Sequence, residues 1–387
     1  MKEGATLSLP KGWEIKILNE IAEVGAGNSA PQKKELFVNG TYPFIRTSDV
    51  GQIRTGFINS SADNLNEEGI RRLKLKKKGT ILFPKSGAST FLNHRVMMEI
   101  DGYVSSHLAT IKAKESFALD RYLLYFLVTI DAKDLMQDIA YPSLKISDIG
   151  AIQIPIPPLP EQQRIVSILD KAFADIDKAK ANAEQNLQNA KELFESFSDT
   201  IPADKVKLGS IVTIKTGKLN ANSAKEDGDY PFFTCSREVF NIDNYAFDQE
   251  AVLLAGNNAS GDFNVKHYKG KFNAYQRTYV IAAKNDEMVS NKYLYYQLQK
   301  GLKEFKRIAI GANTRFLKLG MIQNLQIPLP SYSEQMKLVQ TFDSLLAETQ
   351  KLEAVYQKKM NDLEELKKSI LEKAFAGELE IEKELAL

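Results

Sequence analysis

An internal repeat is the feature of this sequence that most constrains its fold. The stretch Ile152–Asp170 is matched by Leu325–Asp343, and each residue lies 173 positions after its counterpart without a gap. Shorter matches, such as Tyr42-Pro-Phe with Tyr230-Pro-Phe, keep the same order along the chain. Repeats are considered first because overlooking one leads to the wrong fold. The sequence therefore predicts a tandem duplication of a globular part followed by a helix.

Each predicted helix carries apolar residues at alternating steps of four and three, a spacing typical of a coiled-coil seam. Pro160 suits the first helical turn, and Pro202 ends the first helix. Small residues dominate one seam and large residues the other, which favours two antiparallel helices of one chain. Pairing between molecules, or burial on separate domains, are the alternatives. The first seam is Ile165, Leu169, Ala172, Ile176, Ala179, Ala183, Asn186, Ala190, Leu193 and Phe197, and the second is Leu338, Phe342, Leu345, Leu352, Tyr356, Leu363, Leu366 and Ile370.

The globular parts consist of short β-branched or aromatic segments bounded by Gly, Asn and Ser, for example Thr80–Phe83 and Thr278–Ala282. Tyr122–Ile130 and Tyr293–Leu302 are predicted as helices. The predicted fold is α+β, a tandem duplication of a mixed α/β domain plus a long helix, with the two helices packed as an antiparallel coiled coil. The predicted boundaries are 1–158 for the first domain, 159–200 for its helix, 201–331 for the second domain, 332–377 for its helix and 378–387 for an acidic tail.

The charge of the chain is unevenly distributed. The net charge is only +2, from 51 basic and 49 acidic side chains. Residues 1–160 and 201–330 carry balances of +3 and +6, whereas residues 161–200 and 331–387 carry −3 and −4. The globular parts therefore total +9 and the helices −7, and distant charges are screened from one another. The densest basic run, Arg71–Lys78, is interpreted as a solvated face.

The sequence lacks the motifs of several functional classes. It has no phosphate-binding Gly-x-x-x-x-Gly-Lys loop, and Gly25-Ala-Gly27 lacks the third glycine of a dinucleotide site. Three histidines show no metal-ligand spacing, and the single cysteine, Cys235, excludes an internal disulfide. No apolar run reaches the ~18 residues of a membrane helix, and no signal peptide is apparent. We therefore expect a cytoplasmic, non-catalytic protein with no membrane partner, no metal and no cofactor of its own.

The repeated motif resembles the specificity subunit of type I restriction–modification systems. The resemblance rests on Ile154–Val166, which contains Leu159-Pro-Glu-Gln-Gln-Arg164, and on the copy that begins at Ile327. The opening Leu9-Pro-Lys-Gly-Trp13 and the ending Ser369–Leu379 are also similar to that family. The second copy departs at Tyr332-Ser-Glu-Gln-Met-Lys337, which puts only the local start of the helix in doubt.

The resemblance implies two target-recognition domains, each reading one half of a bipartite site in double-stranded DNA. It implies that the coiled coil sets the spacer and that two methyltransferase subunits dock on it. S-adenosylmethionine would then be bound by those subunits, and ATP and Mg by additional restriction subunits. A flipped adenine would be methylated by the partners, which would explain the missing catalytic motifs.

Cations hold phosphates, whereas Asn, Ser and bidentate Arg read base edges. On this pattern the predicted DNA-binding residues are Lys33, Arg46, Ser48, Lys85, Arg95, His107, Lys218, Arg237, Asn257, Asn258, Lys266, Arg277 and Arg315. His107 is included because it lies 170 positions before Arg277, at the matching place of the repeat. The predicted methyltransferase contacts are the helix starts, Glu161, Gln162, Arg164, Glu334, Gln335 and Lys337.

Two other interpretations stay open at this point. The same helices would suit a structural adaptor that spaces two domains and does not bind DNA, although the charge of +9 on the globular parts counts against it. The chain could also be an enzyme with an unrecognised site. Salt-dependent DNA binding distinguishes the first alternative, and methylation by the chain alone would establish the second.

Overall fold

The computed structural model describes residues 9–136, 142–199 and 201–379, and for 190, 191 and 193–199 it describes the backbone only. From residue 380 onward, the predicted acidic tail lies outside the described residues. The chain divides into two compact units, one formed by residues up to 181 together with those from 359 onward, and the other by residues 182–358. Each unit contains one globular part and a portion of each long helix.

In the first globular part the described strands have two to six residues, and the described α-helices, apart from the last, have four to nine. Its described strands are β1 (Glu14–Ile17), β2 (Ala22–Ala26), β3 (Tyr42–Ile45), β4 (Thr55–Ile58), β5 (Asp63–Leu65), β6 (Ile81–Pro84), β7 (Arg95–Met98), β8 (Tyr103–Val104), β9 (Leu108–Ala113) and β10 (Gln153–Ile156). Its described helices are α1 (Leu18–Ile21), α2 (Thr47–Ile53), α3 (Glu67–Ile70), α4 (Asp120–Val128), α5 (Ile146–Gly150) and the long α6 (Leu159–Asp199).

The described strands of this part form a sheet in the order β2-β9-β6-β7-β4, a smaller sheet β5-β3-β8 and the pair β1-β10. Every residue of β6 is buried, which fits a continuous run of apolar side chains in a strand with a neighbour on each side. The main core packs α4 against this sheet, with Tyr122, Leu123 and Leu127 fully buried. Among the described strands, the proline-rich exit β10 pairs only with β1, as expected of an edge strand.

The second globular part repeats this plan. Its described strands are β11 (Lys205–Lys207), β12 (Val212–Thr216), β13 (Tyr230–Phe233), β14 (Phe240–Ile242), β15 (Phe247–Ala255), β16 (Asn257–Asn258), β17 (Val265–Ala274), β18 (Thr278–Ala283), β19 (Arg315–Phe316) and β20 (Gln326–Pro328). Its described helices are α7 (Leu208–Ile211), α8 (Asn291–Ile308), α9 (Leu319–Gln323) and the long α10 (Tyr332–Ala376). The main sheet has the order β12-β18-β15-β17-β13-β14, with pairs β11-β20 and β16-β19.

The two parts differ mainly in one strand. The single strand β17 of the second part corresponds to two strands, β7 and β8, of the first. One part of β17 pairs antiparallel with β15, as β7 does with β6. Its end pairs in parallel with β13, as β8 does with β3. The break between β7 and β8 separates the five-stranded sheet of the first part from the three-stranded sheet, whereas the corresponding described strands of the second part form the single six-stranded sheet. The tandem duplication and the mixed α/β class predicted from the sequence are confirmed. Within the described ranges, no helix is both long and apolar enough to cross a membrane.

The long helices run antiparallel within the first unit. Lys180 Nζ of α6 is 2.7 Å from Glu364 of α10, and Asp177 is 3.9 Å from Lys367, so that residue numbers rise along one helix as they fall along the other. Lys367 Nζ also lies 4.7 Å from the ring centre of Phe173. The predicted antiparallel packing is therefore confirmed in this unit.

The predicted seam is wrong at two positions. Asn186 is exposed and the next residue, Leu187, is half-buried, so the buried stripe does not follow the predicted step. Leu352 is 41% exposed instead of lying in the seam. A straight α-helix with 3.6 residues per turn drifts relative to a strict 3.5-residue pattern, which moves the buried face by one position over several turns. The side chains of residues 190, 193 and 197 lie outside the described ones.

In both units, equivalent side chains of α4 or α8 bind the strand that precedes the long helix and the long helix itself. The Tyr122 hydroxyl donates to Pro155 O at 2.6 Å, and the Tyr293 hydroxyl donates to Pro328 O at 2.7 Å. Asp170 of α6 accepts from Arg121 and Tyr125, as Asp343 of α10 accepts from Lys292 and Tyr296. The duplication therefore extends to individual hydrogen bonds.

Candidate nucleic-acid interface

Four chain segments meet at one end of the main sheet in the first unit. Lys85 N donates to His107 O at 3.0 Å, and Leu144 N donates to Lys85 O at 2.8 Å. Ser105 N donates to Ile45 O at 2.9 Å, which joins the end of β3 to the turn before β9. We call this region, residues 27–33, 45–48, 85–87 and 105–107, the first loop end.

The second unit has the same arrangement of main-chain hydrogen bonds. Gly256 N donates to Arg277 O and Leu317 N donates to Gly256 O, both at 2.9 Å. Tyr275 N donates to Phe233 O, also at 2.9 Å. Residues 217–220, 233–237, 256–258 and 275–277 are the second loop end. His107 and Arg277 therefore occupy equivalent turns, as the repeat predicts.

The first loop end presents several of the predicted side chains to solvent. Lys33, Ser48 and His107 are exposed, and Lys85 is half-buried. Arg46 is constrained, because its Nε donates to Asp63 at 2.5 Å and its guanidinium lies 5.1 Å from the ring centre of Phe44. An arginine held in this way can present its remaining donors in a fixed direction.

His107 has a side-chain partner that sequence reasoning missed. Its Nδ1 and the Ser86 hydroxyl lie 2.7 Å apart in a hydrogen bond. Which atom donates depends on the tautomer of the ring. When Ser86 donates, the other ring nitrogen carries hydrogen and faces outward as a donor. The repeat contains the signal that would have found Ser86, since the predicted residue Asn257 lies 171 positions after it.

Arg95 must be removed from the predicted set. It is 0% exposed, with its guanidinium 3.2 Å from the ring centre of Phe83. Its terminal nitrogens donate to the carbonyls of His94 and Ile130, and burial lowers its pKa to about 9 although Asp131 raises it. A side chain enclosed in this way stabilises the loop from inside and does not reach a ligand.

The second loop end presents more cations. Lys218, Arg237 and Arg277 are exposed there, as is Arg315 in the neighbouring strand β19. Arg237 is paired with Asp262 at 2.5 Å. Arg315 Nη1 donates to Ala309 O at 3.1 Å, and its backbone pairs with Asn258.

Three more predicted residues of the second unit are only partly accessible. The Asn258 side-chain oxygen closes a local turn by accepting from Ser260 N and Asp262 N. Its neighbour Asn257 is half-buried. The Lys266 ammonium donates to Ser236 O and to Asn264, and burial lowers its pKa.

The predicted partner contacts at the helix starts include two that are wrong. Gln162 is 0% exposed; its oxygen accepts from Leu119 N, and its nitrogen donates to the carbonyls of Phe117 and Pro157. Gln335 is also 0% exposed and makes the three equivalent bonds to the main chain of Ser290, Met288 and Pro330. A buried amide with its hydrogen bonds satisfied inside the unit belongs to the framework.

The other residues at the helix starts make local contacts or are exposed. Glu161 and Arg164 form a two-pronged ion pair at 2.7 and 2.8 Å. The Glu334 carboxylate accepts from the main-chain nitrogen and hydroxyl of Ser331, which caps α10 and lowers the pKa of Glu334. Lys337 is exposed. In the ranges the structure covers, no group of three or more His, Cys, Asp or Glu side chains could hold a metal ion.

The comparisons with known proteins agree on one family. The family described as type I restriction modification DNA specificity domain matches residues 10–186 and 202–361. The chain is 40% identical over 174 residues to the type I restriction enzyme EcoDI specificity subunit of Escherichia coli, covering 45% of this chain and 38% of that one. It is 33% identical over 175 residues to the MjaIX specificity subunit of Methanocaldococcus jannaschii, of which the match again spans only 39%.

Other matches span nearly the whole chain. The MjaVIII specificity subunit of M. jannaschii is 24% identical over 431 residues, covering 98% of this chain and 96% of that one. A chain from a study of the structural basis of complex assembly and conformational transition of the type I R-M system has a TM-score of 0.76 at 20% identity, with 96% and 100% covered. The HsdS subunit from Thermoanaerobacter tengcongensis has a TM-score of 0.55 at 19% identity, with 96% and 98% covered. At such identities the structures support the fold.

Proposed function

This chain belongs to the type I restriction–modification DNA specificity family, with one matching domain in each half, and from this membership we propose that it is the subunit that recognises the DNA target. Each globular part reads one half of a bipartite site in double-stranded DNA. The paired helices hold the two readers at a fixed separation. The chain supplies sequence specificity and leaves the chemistry to its partners.

The equivalence of the two loop ends is the observation that carries this proposal. Both are built by the same main-chain hydrogen bonds, yet they present different side chains at the matching positions. The first presents Ser86 with His107, and the second presents Asn257 with Arg277. Imidazole, amide and guanidinium groups have different donor and acceptor patterns, and such patterns distinguish bases in the major groove. Two copies of one frame would therefore recognise two different half-sites.

On the same proposal we assign a role to each segment of the chain. Residues 1–158 and 201–331 are the two target-recognition domains, 159–200 and 332–377 are the helices of the spacer, and 378–387 is an acidic tail. Two methyltransferase subunits dock on the helices and adjoining surfaces, where Glu161, Arg164, Glu334 and Lys337 remain candidate contacts. Those subunits bring S-adenosylmethionine, and restriction subunits bring ATP and Mg.

The test is the salt dependence of DNA binding by the full chain together with its methyltransferase. Neutralising phosphates releases counterions, so the logarithm of affinity falls with the logarithm of salt concentration by about 0.9 for each phosphate contacted. We expect a steep slope for duplex DNA that contains the target, which methylome sequencing of expressing cells would identify. A flat response in the presence of the methyltransferase would refute the proposal.

A further inference from the structure

The structure separates the cations of the run Arg71–Lys78 into two groups. Lys77 pairs with Asp101 at 2.8 Å, and Lys76 is half-buried, where burial lowers its pKa. The other four are exposed and make no ion pair with any part of the chain the structure describes. Lys78 follows Lys77 and its main-chain nitrogen donates to Asp101. The remaining three, which we call the basic arm, are Arg71, Arg72 and Lys74. Unpaired cations this close together are available to an anionic partner.

The basic arm is tied to the first loop end. Lys74 N donates to the side-chain oxygen of Asn28 at 3.0 Å. The main chain of Asn28 is bonded in turn to the segment before His107, since Asn28 N donates to Val104 O at 2.7 Å and Ser106 N donates to Asn28 O at 2.8 Å. Leu73, inside the arm, packs against the cluster of buried residues that includes Phe44. The arm is therefore held beside the candidate interface.

The basic arm is an addition to the shared framework. In the first unit, residues 66–80 connect β5 to β6, whereas in the second unit residues 243–246 alone connect β14 to β15. The shorter connection contains no Lys or Arg and includes Asp243. The second unit folds on the same plan without these cations, so the fold does not require them.

We infer that Arg71, Arg72 and Lys74 bind phosphates of the DNA next to the half-site read by the first unit. This inference rests on the proposed function. Flexible cations beside a recognition surface position the duplex through its phosphates and carry no sequence information themselves. The first recognition domain therefore makes additional, salt-dependent contacts with DNA phosphates that have no counterpart in the connection between β14 and β15 of the second domain.

The test compares a triple variant of the full chain, Arg71→Gln, Arg72→Gln and Lys74→Gln, with the natural sequence. The control is Lys11→Gln, Lys133→Gln and Lys207→Gln, which removes the same charge from exposed positions outside both loop ends and both long helices. Affinity for one duplex is measured between about 50 and 200 mM salt. Loss of three phosphate contacts lowers the salt slope by about 3. The natural chain should then lose about 40-fold more affinity than the arm variant over this range.

Each outcome decides something different. A reduced slope in the arm variant alone, with an unchanged preference for half-site sequences, supports the inference. Equal salt slopes in the arm variant and the control overturn the inference. An arm variant that binds DNA normally but binds the methyltransferase less tightly also overturns it, because the partner of the arm would then be an acidic protein surface. Absence of DNA binding by the natural chain, with its methyltransferase present, refutes the proposed function itself.

Discussion

Replacing the buried glutamine at the start of the first long helix tests how the globular part and the helix are joined. Gln162→Leu keeps the size of the side chain but removes three hydrogen bonds to the main chain of Leu119, Phe117 and Pro157. Each bond contributes about 1 kcal/mol net, and a buried group left unpaired costs about 1 to 3 kcal/mol. With three main-chain groups left unpaired, we therefore expect a loss of at least about 3 kcal/mol, a large part of the stability of a typical domain.

The single tryptophan makes this loss measurable in the first unit. Trp13 packs against the first unit's core, so its fluorescence during urea unfolding reports on that unit. With a urea dependence of about 2 to 3 kcal/mol per molar, the midpoint should fall by at least about 1 M. Gln163→Leu, at the exposed neighbour, is the matched control and should leave the midpoint in place.

The duplication provides a second comparison for the same prediction. Gln335→Leu removes the equivalent three bonds in the second unit. It should lower the stability of that unit by a similar amount while shifting the Trp13 transition much less. If the urea midpoint of Gln162→Leu equals that of Gln163→Leu, the Gln162 amide does not stabilise the first unit. That result would refute its role in the framework.

Three further predictions concern specificity, pH and spacing. His107→Ala and Arg277→Ala should each weaken binding to one half-site by about 1 to 3 kcal/mol and leave the other half-site unchanged in methylome sequencing. Burial raises the pKa of Asp343, but bonds from Lys292 and Tyr296 lower it further, to below its ordinary value. The ionised Asp343 carboxylate therefore stabilises the folded chain above its ordinary pKa of about 4, and this contribution is lost as the pH falls below that value. Calorimetry of Asp343→Asn should show a smaller loss of stability over the same pH range than the natural chain shows. Seven residues added near the middle of each long helix should lengthen the gap between half-sites by about 10 Å, or about three base pairs, with the half-sites themselves unchanged.

The repeat is what made the architecture predictable. A periodic match over the whole chain fixes the order of domains and helices, and short β-branched segments such as Thr80–Phe83 and Thr278–Ala282 fall on the strands β6 and β18. The repeat also predicted the equivalence of His107 and Arg277, because a conserved spacing places two residues in matching turns of a duplicated fold. These inferences depend on local pattern and chain order, which the sequence contains directly.

Burial of polar side chains was not predictable in the same way. Arg95 belongs to the same class of residue as Arg277, yet it is fully enclosed over Phe83. Gln162 follows the half-buried Glu161 and Gln335 follows the exposed Glu334, and nothing in the repeated Glu-Gln pattern distinguishes a buried amide from a surface one. Whether a polar group faces inward depends on carbonyls and N–H groups from distant segments, which only the folded chain brings together.

The loop ends and the helix starts are held by different kinds of hydrogen bond, which explains how one framework can serve two recognition surfaces. At the loop ends the joining hydrogen bonds run between main-chain atoms, so they form whatever side chain is attached. At the helix starts the joining bonds come from side chains, and there both units use the same residue types, as in Tyr122 with Tyr293 and Gln162 with Gln335. Side chains can therefore change at the loop ends without loss of the frame, whereas changes at the helix starts leave buried groups unpaired. Substitution of recognition residues should consequently alter the target sequence far more than the stability of the unit that carries them.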